Sequence, residues 1–492
     1  MKSMTRTAGM LSGVESLRFV LKSIIGIVLA RMLSLQDYGS YRQLFLIYTS
    51  FSTILLVGLP QTMLYFIPKL KLDQEKSQYI CRIVDFISVL GMIFGLLILI
   101  FGGEIAARFA NPELKKLLLL FAAYPVFMFV NQIYSFIMLG LKRTQSAMRF
   151  SLLAASCDLI LILGVAVLTR DLTMIVLAVL LSAFIQWVYV RWQLRAYSSS
   201  YQWDPDFYKA QLRYSLPLGL SSIIGILAIQ LDKFVISGVF TPAQFAVFSI
   251  GAMELPFIGI LNYSVNSVIL PHLSASGEKS EALRVYRGSI RKNALLIFPV
   301  AVLSFILATD VLTLLYGSDY AAATPYFRVY LGILLVRIAS YGVIFQALGK
   351  TKYILYNAIF TLVGNLILNL ILVRTALGMM GPAVATVIIT YASTALYLWW
   401  IHRKLSMDLN LMFPWLQLGR TMFAALLAGL LVAVLLPWFG SFIFRIIAGG
   451  LLYLGAYLGA GHLTKAIIPY DIDNLKAFGR ELSNKWELFR GR

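Results

Sequence analysis

The chain has 492 residues, of which 60% are hydrophobic and 13% are charged, and its formal net charge is +20. About a quarter of the residues of a soluble domain are usually charged, so this composition excludes an ordinary soluble protein. Apolar stretches long enough to cross a bilayer recur along the whole chain, which predicts an all-α, polytopic membrane protein. A β-barrel would instead show alternating segments of about ten residues.

About fourteen transmembrane helices are predicted from these stretches. The predicted spans are 10–31, 41–66, 80–102, 115–139, 148–168, 173–191, 214–239, 243–271, 292–314, 325–347, 354–374, 381–402, 417–437 and 441–465. Most of the 42 lysine and arginine residues lie in or beside alternate loops, which the positive-inside rule places in the cytoplasm. Both termini are therefore expected in the cytoplasm. Because topology explains the net charge, nucleic acid is not expected as a partner.

Two of the longer interior connections, 193–213 and 272–291, are expected to form amphipathic helices on the inner membrane face. They combine tyrosine or tryptophan with basic residues, and such side chains suit the membrane–water interface. No connection is long enough to predict a separate soluble domain.

A weak internal repeat divides the chain. The matching segments are DYGSYRQLF at 37–45 with QFAVFSIGA at 244–252, LGLKRTQ at 139–145 with LGKTKY at 348–353, and FIPK at 66–69 with ILPH at 269–272. The offsets are nearly equal and cover six spans, which predicts two parallel lobes of six helices with a substrate site between them. The predicted domains are a first lobe at 1–195, a second lobe at 196–405, and two further helices with a cytoplasmic tail at 406–492.

The first span carries three charges, Glu15, Arg18 and Lys22, in GVESLRFVLKSIIGIVLARMLS. Each charge at the centre of a spanning helix costs about 2.5–3.5 kcal/mol on insertion scales. Their spacing puts all three within about 60° of one helix face, so we expect that face to line a polar interior. Glu15 and Arg18 can pair within the helix. Lys22 has no partner in its own helix and is predicted to line a cavity.

Asp232 and Lys233 are neighbours in the seventh span. Adjacent helical residues point about 100° apart, so the two side chains are not expected to face one partner. Two interpretations remain open. The residues form ties between helices, with Glu254 in the eighth span as a candidate partner, or they line the cavity.

Four more charges lie inside predicted spans. Arg337 is near the middle of the tenth span, with no acid in its helix, whereas Arg328 is close enough to the span end for its side chain to snorkel. Asp85 and Asp158, in the third and fifth spans, can carry protons or satisfy buried partners, and we favour the second role. The basic residues Arg18, Lys22, Lys233, Arg328 and Arg337 outnumber the acids in their helices. This favours an anionic substrate, such as a phosphate or pyrophosphate.

Polar pairs also recur in the spans. They are Asn131 with Gln132, Asn262 with Asn266, and Asn365 with Asn369. Asparagine in a membrane helix commonly bonds to a neighbouring helix, so we favour inter-helix hydrogen bonds over contacts with a sugar.

Sequence motifs of nucleotide binding and of nucleophilic catalysis are not found in the sequence. It has no Walker loop, nucleotide fingerprint or nucleophile elbow. Its two cysteines and three histidines predict neither a disulfide framework nor a metal site. We therefore expect a transporter without a cofactor rather than an enzyme or an ATP-driven pump.

Several segments resemble one known group of transporters. LARMLSLQDYGSYRQLFLI, LDKFVISGVFTPAQFAVFSIGAMEL, LLYGSDYAAATPYFRVYLGILL and LGKTKYILYNAIFTLVGNLILNLILVRTALGMMGPAVATVI are similar to segments of the multidrug/oligosaccharidyl-lipid/polysaccharide (MOP) exporter superfamily. Within it, the chain most resembles the bacterial polysaccharide branch. The resemblance implies fourteen helices in two lobes arranged as a V, alternating access, and a place in the bacterial inner membrane.

The resemblance also implies a substrate and a driving force. The substrate would be an oligosaccharide linked to undecaprenyl pyrophosphate, a repeat unit of O-antigen or capsule, moved from the inner to the outer leaflet. A proton or cation gradient would drive transport, with Glu15, Asp85, Asp158, Asp232 and Glu254 as candidates for ion coupling or for pairing between helices. Polymerase and chain-length proteins of the same pathway would be partners, together with membrane lipid.

Other functions remain as alternatives. A lipid II flippase would also have a cationic cavity, whereas a multidrug exporter of organic cations would prefer an acidic, aromatic one. A membrane glycosyltransferase or ligase would need larger outer loops than the sequence predicts. A scaffold would not need so many charges inside its spans.

Overall fold

A computed structural model describes residues 2–197, 204–253, 255 and 279–468. Within these ranges the chain is helical and contains no β-strand. Nine helices of the described residues are long and apolar enough to cross a membrane, or up to 11 if each of two bent helix pairs forms one span. The all-α prediction is confirmed. The count of fourteen spans stays a prediction, because most of the eighth span lies outside the described residues.

The chain forms two compact units. The first unit comprises Met1–Ile250 and Leu362–Pro382, and the second comprises Gly251–Thr361 and Ala383–Arg492. The predicted division into 1–195, 196–405 and 406–492 stays a prediction.

In its described residues before 251, the first unit contains ten helices, of which the tenth ends one residue inside the second unit. They are α1 (Lys2–Met32), α2 (Leu35–Leu56), α3 (Leu59–Phe66), α4 (Asp73–Arg108), α5 (Pro112–Phe121), α6 (Tyr124–Gly140), α7 (Thr144–Thr169), α8 (Leu172–Leu194), α9 (Pro205–Val239) and α10 (Pro242–Gly251). Several begin with the residue types that favour a helix start. Ser34, Asp171 and Asp204 each accept a backbone N–H bond in the first turn, and proline occupies the first helical position of α5 and α9.

The other helices are numbered on from there. They are α11 (Lys279–Ile306), α12 (Ala308–Tyr316), α13 (Thr324–Leu331), α14 (Gly342–Ala347), α15 (Lys352–Leu372), α16 (Met380–Leu405), α17 (Leu409–Met412), α18 (Trp415–Leu435) and α19 (Phe442–Leu463). The last part of α15 and the start of α16 belong to the first unit. A core of small residues and tyrosines, including Ala425, Ala428 and Tyr453, packs α18 against α19.

The second predicted span is bent by 44° between α2 and α3. At the break, Val57 and Gly58 have left-handed backbone angles, with φ of 37° and 77°. This conformation costs little for glycine, which has no Cβ. The backbone of α9 packs directly against the break, because a Cβ added to Gly219 would lie 2.2 Å from the carbonyl carbon and oxygen of Val57.

The segment before the seventh span differs from the sequence prediction. Residues 205–213 were expected in an amphipathic helix on the membrane face, but they are the first turns of α9, one helix of 35 residues. An ion pair of 2.8 Å joins Arg82 of α4 to Asp204, and Tyr79 donates a hydrogen bond to Gln211. Residues 279–291 of the other expected surface helix are likewise the first turns of α11. Polar side chains in both segments reflect packing onto neighbouring helices as well as contact with water.

The tenth predicted span is broken, which corrects the expectation of one continuous helix at 325–347. Helix α13 gives way to a 3-10 turn at Gly332–Leu335, and α14 starts only at Gly342. Side chains satisfy the carbonyl groups that the break releases, as irregular backbone at membrane depth requires. The four bonds are Tyr391 Oη to Gly332 O at 2.9 Å, Tyr341 Oη to Val336 O at 3.0 Å, Asn293 Nδ2 to Ile338 O at 3.0 Å, and Tyr286 Oη to Ser340 O at 3.4 Å.

Candidate functional site

The charged face of α1 packs beside α7 in the first unit. Ser151 of α7 donates a hydrogen bond of 2.6 Å to Glu15 Oε1, while Arg18 Nη1 lies 3.9 Å from Glu15 Oε2. The predicted pair within α1 is therefore present. The Nε of Arg18 is buried and has no hydrogen-bond partner among the described residues. The guanidinium thus keeps donor capacity that an anionic ligand could use.

Lys22 follows Arg18 by four residues and lies on the same face of α1. Lys22 follows Glu15 by seven residues, and Asp158 follows Ser151 by seven, so the spacing on α1 matches that on α7. Because Ser151 bonds to Glu15, this spacing places the carboxylate of Asp158 on the neighbouring helix at about the level of Lys22.

Two side chains of α8 hold the carboxylate of Asp158. Ser182 Oγ donates a hydrogen bond of 2.7 Å to Asp158 Oδ1, and Gln186 Nε2 donates one of 2.9 Å to the same oxygen. Both bonds satisfy one oxygen of this carboxylate with neutral donors of α8. Asp158 thus satisfies polar partners, the role that the sequence favoured. Asp85 is elsewhere, on α4, where Cys81 Sγ lies 3.6 Å from its Oδ2.

A cavity of about 420 Å³ adjoins the charged face of α1. We call it the charged cavity. Its polar lining includes Glu15, Arg18, Gln61, Asn131, Gln132 and Gln186. Its volume falls within the range of small-molecule sites, which is about 300–1,000 Å³. Convergent amide and charged groups in such a space can bind a polar, anionic ligand.

A second cavity of about 320 Å³ lies between α2, α6 and α9. We call it the neutral cavity, since no charged residue lines it. Its lining comprises Tyr48, Thr49, Ser52, Thr53, Gln132, Ile226, Ile229 and Gln230. Gln132 lines both cavities, so they are adjacent. This site was not predicted from the sequence. The cluster of hydroxyl side chains in YTSFST at 48–53, inside an apolar span, could have indicated it.

Three residues of the predicted polar pairs bond to other helices, whereas Asn369 Nδ2 donates to the carbonyl of Asn365 in its own helix at 2.7 Å. Asn131 Nδ2 donates to the carbonyl of Ala183 at 3.0 Å, and Gln132 Nε2 donates to Tyr48 Oη at 2.8 Å. Asn365 Nδ2 donates to the carbonyl of Ala228 at 3.2 Å. The interpretation as inter-helix bonds is confirmed for these three residues, while Asn262 and Asn266 lie outside the described ranges.

Asp232 and Lys233 of α9 contact each other. Lys233 Nζ is 3.8 Å from Asp232 Oδ1 and donates to the carbonyl of Ile229 at 3.4 Å, so the lysine side chain reaches back along the helix. The expectation that the two residues do not face one common partner stays a prediction. Asp232 is almost completely buried. Glu254, the other candidate partner, lies outside the described residues.

Arg328 and Arg337 belong to the second unit. Arg328 donates from Nε to the carbonyl of Phe305 at 3.0 Å, and its guanidinium lies over the ring of Phe305, so its contacts are structural. Arg337 lies in the break between α13 and α14, where it lines a space of about 10 Å³, room for one water molecule at most. Of the five predicted basic residues, the structure thus brings Arg18 and Lys22 together. Among the described residues, no cluster of potential metal ligands occurs.

Apolar helices long enough to span a membrane, together with adjacent polar cavities, define a multi-pass membrane protein with polar internal spaces. The family model described as "Polysaccharide biosynthesis protein" matches residues 28–325. The chain belongs to this family.

Solved structures identify the fold. The lipid II flippase MurJ, in an inward closed conformation, is similar with a TM-score of 0.71 and 16% sequence identity, covering 90% of this chain and 97% of that one. An inward-facing multidrug resistance MATE family transporter of the MOP superfamily gives a TM-score of 0.65 at 17% identity, covering 79% of this chain and 94% of that one. The fold is therefore the MOP-superfamily fold that the sequence segments resembled.

A relative by sequence comes from Haemophilus influenzae. A protein of the Lsg locus is 24% identical over 162 residues, which is 32% of this chain and 40% of that protein. The match therefore spans less than half of the relative.

Proposed function

We propose that the chain is a flippase for lipid-linked oligosaccharides in a pathway of bacterial surface polysaccharide synthesis. Its substrate is a repeat unit of O-antigen or capsule type on undecaprenyl pyrophosphate, moved from the inner to the outer leaflet by alternating access. The protein lies in the cytoplasmic membrane with both termini inside. The observation that carries this proposal is Arg18, which lines a polar cavity with an Nε that has no hydrogen-bond partner among the described residues, in a member of a polysaccharide biosynthesis family.

The charges of the site suit a pyrophosphate. In the free protein, Glu15 pairs with Arg18, and Asp158 lies on the neighbouring helix at about the level of Lys22, so the two cations are not accompanied by a large net charge. A bound pyrophosphate replaces part of this pairing with charge-assisted bonds to the guanidinium and the ammonium group. The apolar polyprenyl tail remains in the lipid, where its burial costs nothing.

As a transporter, the protein releases its substrate chemically unchanged and uses no cofactor. A proton or cation gradient supplies the driving force. Of the candidate acids that the structure describes, Asp232 is the most deeply buried, and α9, which carries it, also lines the neutral cavity. Polymerase and chain-length proteins of the pathway receive the product.

The test is deletion followed by complementation. We expect the deletion strain to accumulate the lipid-linked repeat unit and to lose surface polymer, with both restored by the wild-type protein. Lys22→Ala should fail to restore them at equal membrane abundance, whereas Lys22→Arg, which keeps the cation, should retain partial function. Lys116→Ala, at an exposed position on α5, is the matched control and should behave as wild type.

Other outcomes identify other functions. Accumulation of lipid II instead of an oligosaccharide intermediate would replace the proposal with a role in peptidoglycan export. Unchanged lipid intermediates with increased sensitivity to cationic dyes would indicate a multidrug exporter. Full complementation by Lys22→Ala would remove the charged site as its basis.

A further inference from the structure

The neutral cavity presents hydrogen-bond acceptors from α2. Thr49 Oγ1 donates to the carbonyl of Phe45 at 2.7 Å, Ser52 Oγ donates to the carbonyl of Thr49 at 3.1 Å, and Thr53 Oγ1 donates to the same carbonyl at 2.9 Å. Each hydroxyl proton is therefore used within α2. The oxygen lone pairs remain, and a hydroxyl group has two of them. This wall of the cavity accepts hydrogen bonds.

Donors come from Tyr48 of α2 and from Gln230 of α9. Gln132 Nε2 donates to Tyr48 Oη at 2.8 Å, so Tyr48 keeps its own proton for a further bond. Gln230 of α9 lines the cavity, and its amide makes no side-chain hydrogen bond to the described residues. That amide offers two donors and one acceptor. Ile226 and Ile229 add an apolar surface beside it.

The lining is therefore amphiphilic and uncharged, with acceptors on α2 and donors on both α2 and α9. A sugar ring matches this arrangement, because its hydroxyls both donate and accept and its axial C–H groups form an apolar face. A carboxylate would find no counter-charge in the lining, and burying an unpaired charge is costly. The cavity thus favours a neutral sugar over a uronic acid.

We propose that the neutral cavity is the subsite for an uncharged sugar of the lipid-linked saccharide. This inference rests on the proposed function and extends it to substrate selection. Gln132 lines both cavities, so a pyrophosphate at Arg18 places the sugar attached to it next to the neutral cavity. Gln230 and Thr53 then determine specificity for the sugar, whereas Arg18 and Lys22 bind the phosphates.

The test compares two probes on the purified full chain in nanodiscs, by calorimetric titration. The probes are farnesyl pyrophosphate and the same lipid carrying one N-acetylglucosamine. The wild-type protein should bind the glycosylated probe more tightly. Gln230→Ala and Thr53→Val should each weaken binding of that probe by roughly three- to tenfold, the effect of one lost hydrogen bond, and leave farnesyl pyrophosphate unaffected.

A matched control is Thr390→Val. Thr390 makes the same bond as Thr53, from its hydroxyl to the carbonyl four residues earlier, at 2.7 Å, but it lies on α16 and outside the neutral cavity. It should bind both probes as wild type does. A melting curve of each variant separates a loss of affinity from a loss of folded protein.

The outcomes separate this inference from the proposed function. If Gln230→Ala and Thr53→Val weaken both probes equally, or neither, the sugar subsite is wrong while the phosphate site stands. If a probe carrying glucuronic acid binds as tightly as the N-acetylglucosamine probe, the preference for neutral sugars is wrong. If the wild-type protein binds neither probe, or Lys22→Ala changes neither affinity, the proposed function itself fails.

Discussion

Glu15 limits how strongly Arg18 can bind an anion, and removing its charge should tighten binding. The carboxylate is 3.9 Å from Arg18 Nη1 and also accepts a hydrogen bond from Ser151. Glu15→Gln keeps a side-chain oxygen for the Ser151 hydroxyl and the same size, so the change is one of charge. We expect the variant to bind farnesyl pyrophosphate more tightly than wild type does.

The expected gain follows from the distance and the exposure. Two unit charges 3.9 Å apart attract by about 4 kcal/mol at an effective dielectric constant of 20. The Glu15 side chain is 47% exposed, so solvent screening lowers this to about 1 kcal/mol. In the free protein, the attraction of Arg18 to Glu15 competes with the binding of an anion, and in the variant this competition is absent. The gain is about fivefold in affinity.

The assay is titration of the purified chain with farnesyl pyrophosphate at two salt concentrations. The gain should shrink at high ionic strength, because salt screens a partly exposed pair. It should also vanish in Glu15→Gln combined with Arg18→Gln, since no guanidinium is left to release. Equal or weaker binding by Glu15→Gln in a folded protein would refute the view that Glu15 competes with the substrate for Arg18.

Two further predictions concern the framework of the site. Gly219→Ala places a Cβ 2.2 Å from the Val57 carbonyl and should lower the melting temperature and abolish transport, because overpacking costs about 1–3 kcal/mol. Gly225→Ala, on the same helix with nothing within 4 Å, should be neutral, and equal behaviour of the two variants would contradict the close packing. Asn293→Leu leaves the Ile338 carbonyl without its donor and should destabilise the protein by about 1–3 kcal/mol in thermal unfolding. An unchanged melting temperature would mean that another donor satisfies this carbonyl.

Much of the charged site could be predicted from the sequence, because charges inside an apolar run must find polar surroundings. The i, i+3 spacing of Glu15 and Arg18 gave their pairing directly. The cavity-lining role of Lys22 stays a prediction, because Lys22 is not among the residues that line the charged cavity. That Asp158 lies on the helix beside it could not be predicted, because which helix packs on α1 depends on tertiary contacts. Asp158 itself was recognised as a buried polar residue without its donors from α8.

The breaks in the helices were harder to predict. Apolar composition predicts a span at 325–347, but the unwinding there depends on hydrogen bonds from Tyr286 and Asn293, which are distant in sequence. The continuity of α9 was hidden by polar residues at its start, which resemble an interfacial segment until their partners on α4 are known. The neutral cavity was missed because serine and threonine in a membrane helix usually bond to their own backbone. The serine and threonine hydroxyls of α2 also bond to their own backbone, but the lone pairs of their oxygens still face the neutral cavity.

The length of α9 has a mechanical consequence. Its 35 residues extend for about 52 Å, whereas the hydrocarbon core of a bilayer is about 30 Å thick, so part of the helix stands in water. The contact of Gly219 with the Val57 break is a point about which α9 can pivot. Asp204 lies about 22 Å from Gly219 along the helix in one direction, and Gln230 lies about 16 Å from it in the other. A sideways displacement at Asp204 would therefore move Gln230 in the opposite direction by about three quarters as much. Pro217, two residues from this contact, lacks a backbone donor, so one helical hydrogen bond is missing there. If α9 bends at this position, less of the movement would reach the neutral cavity.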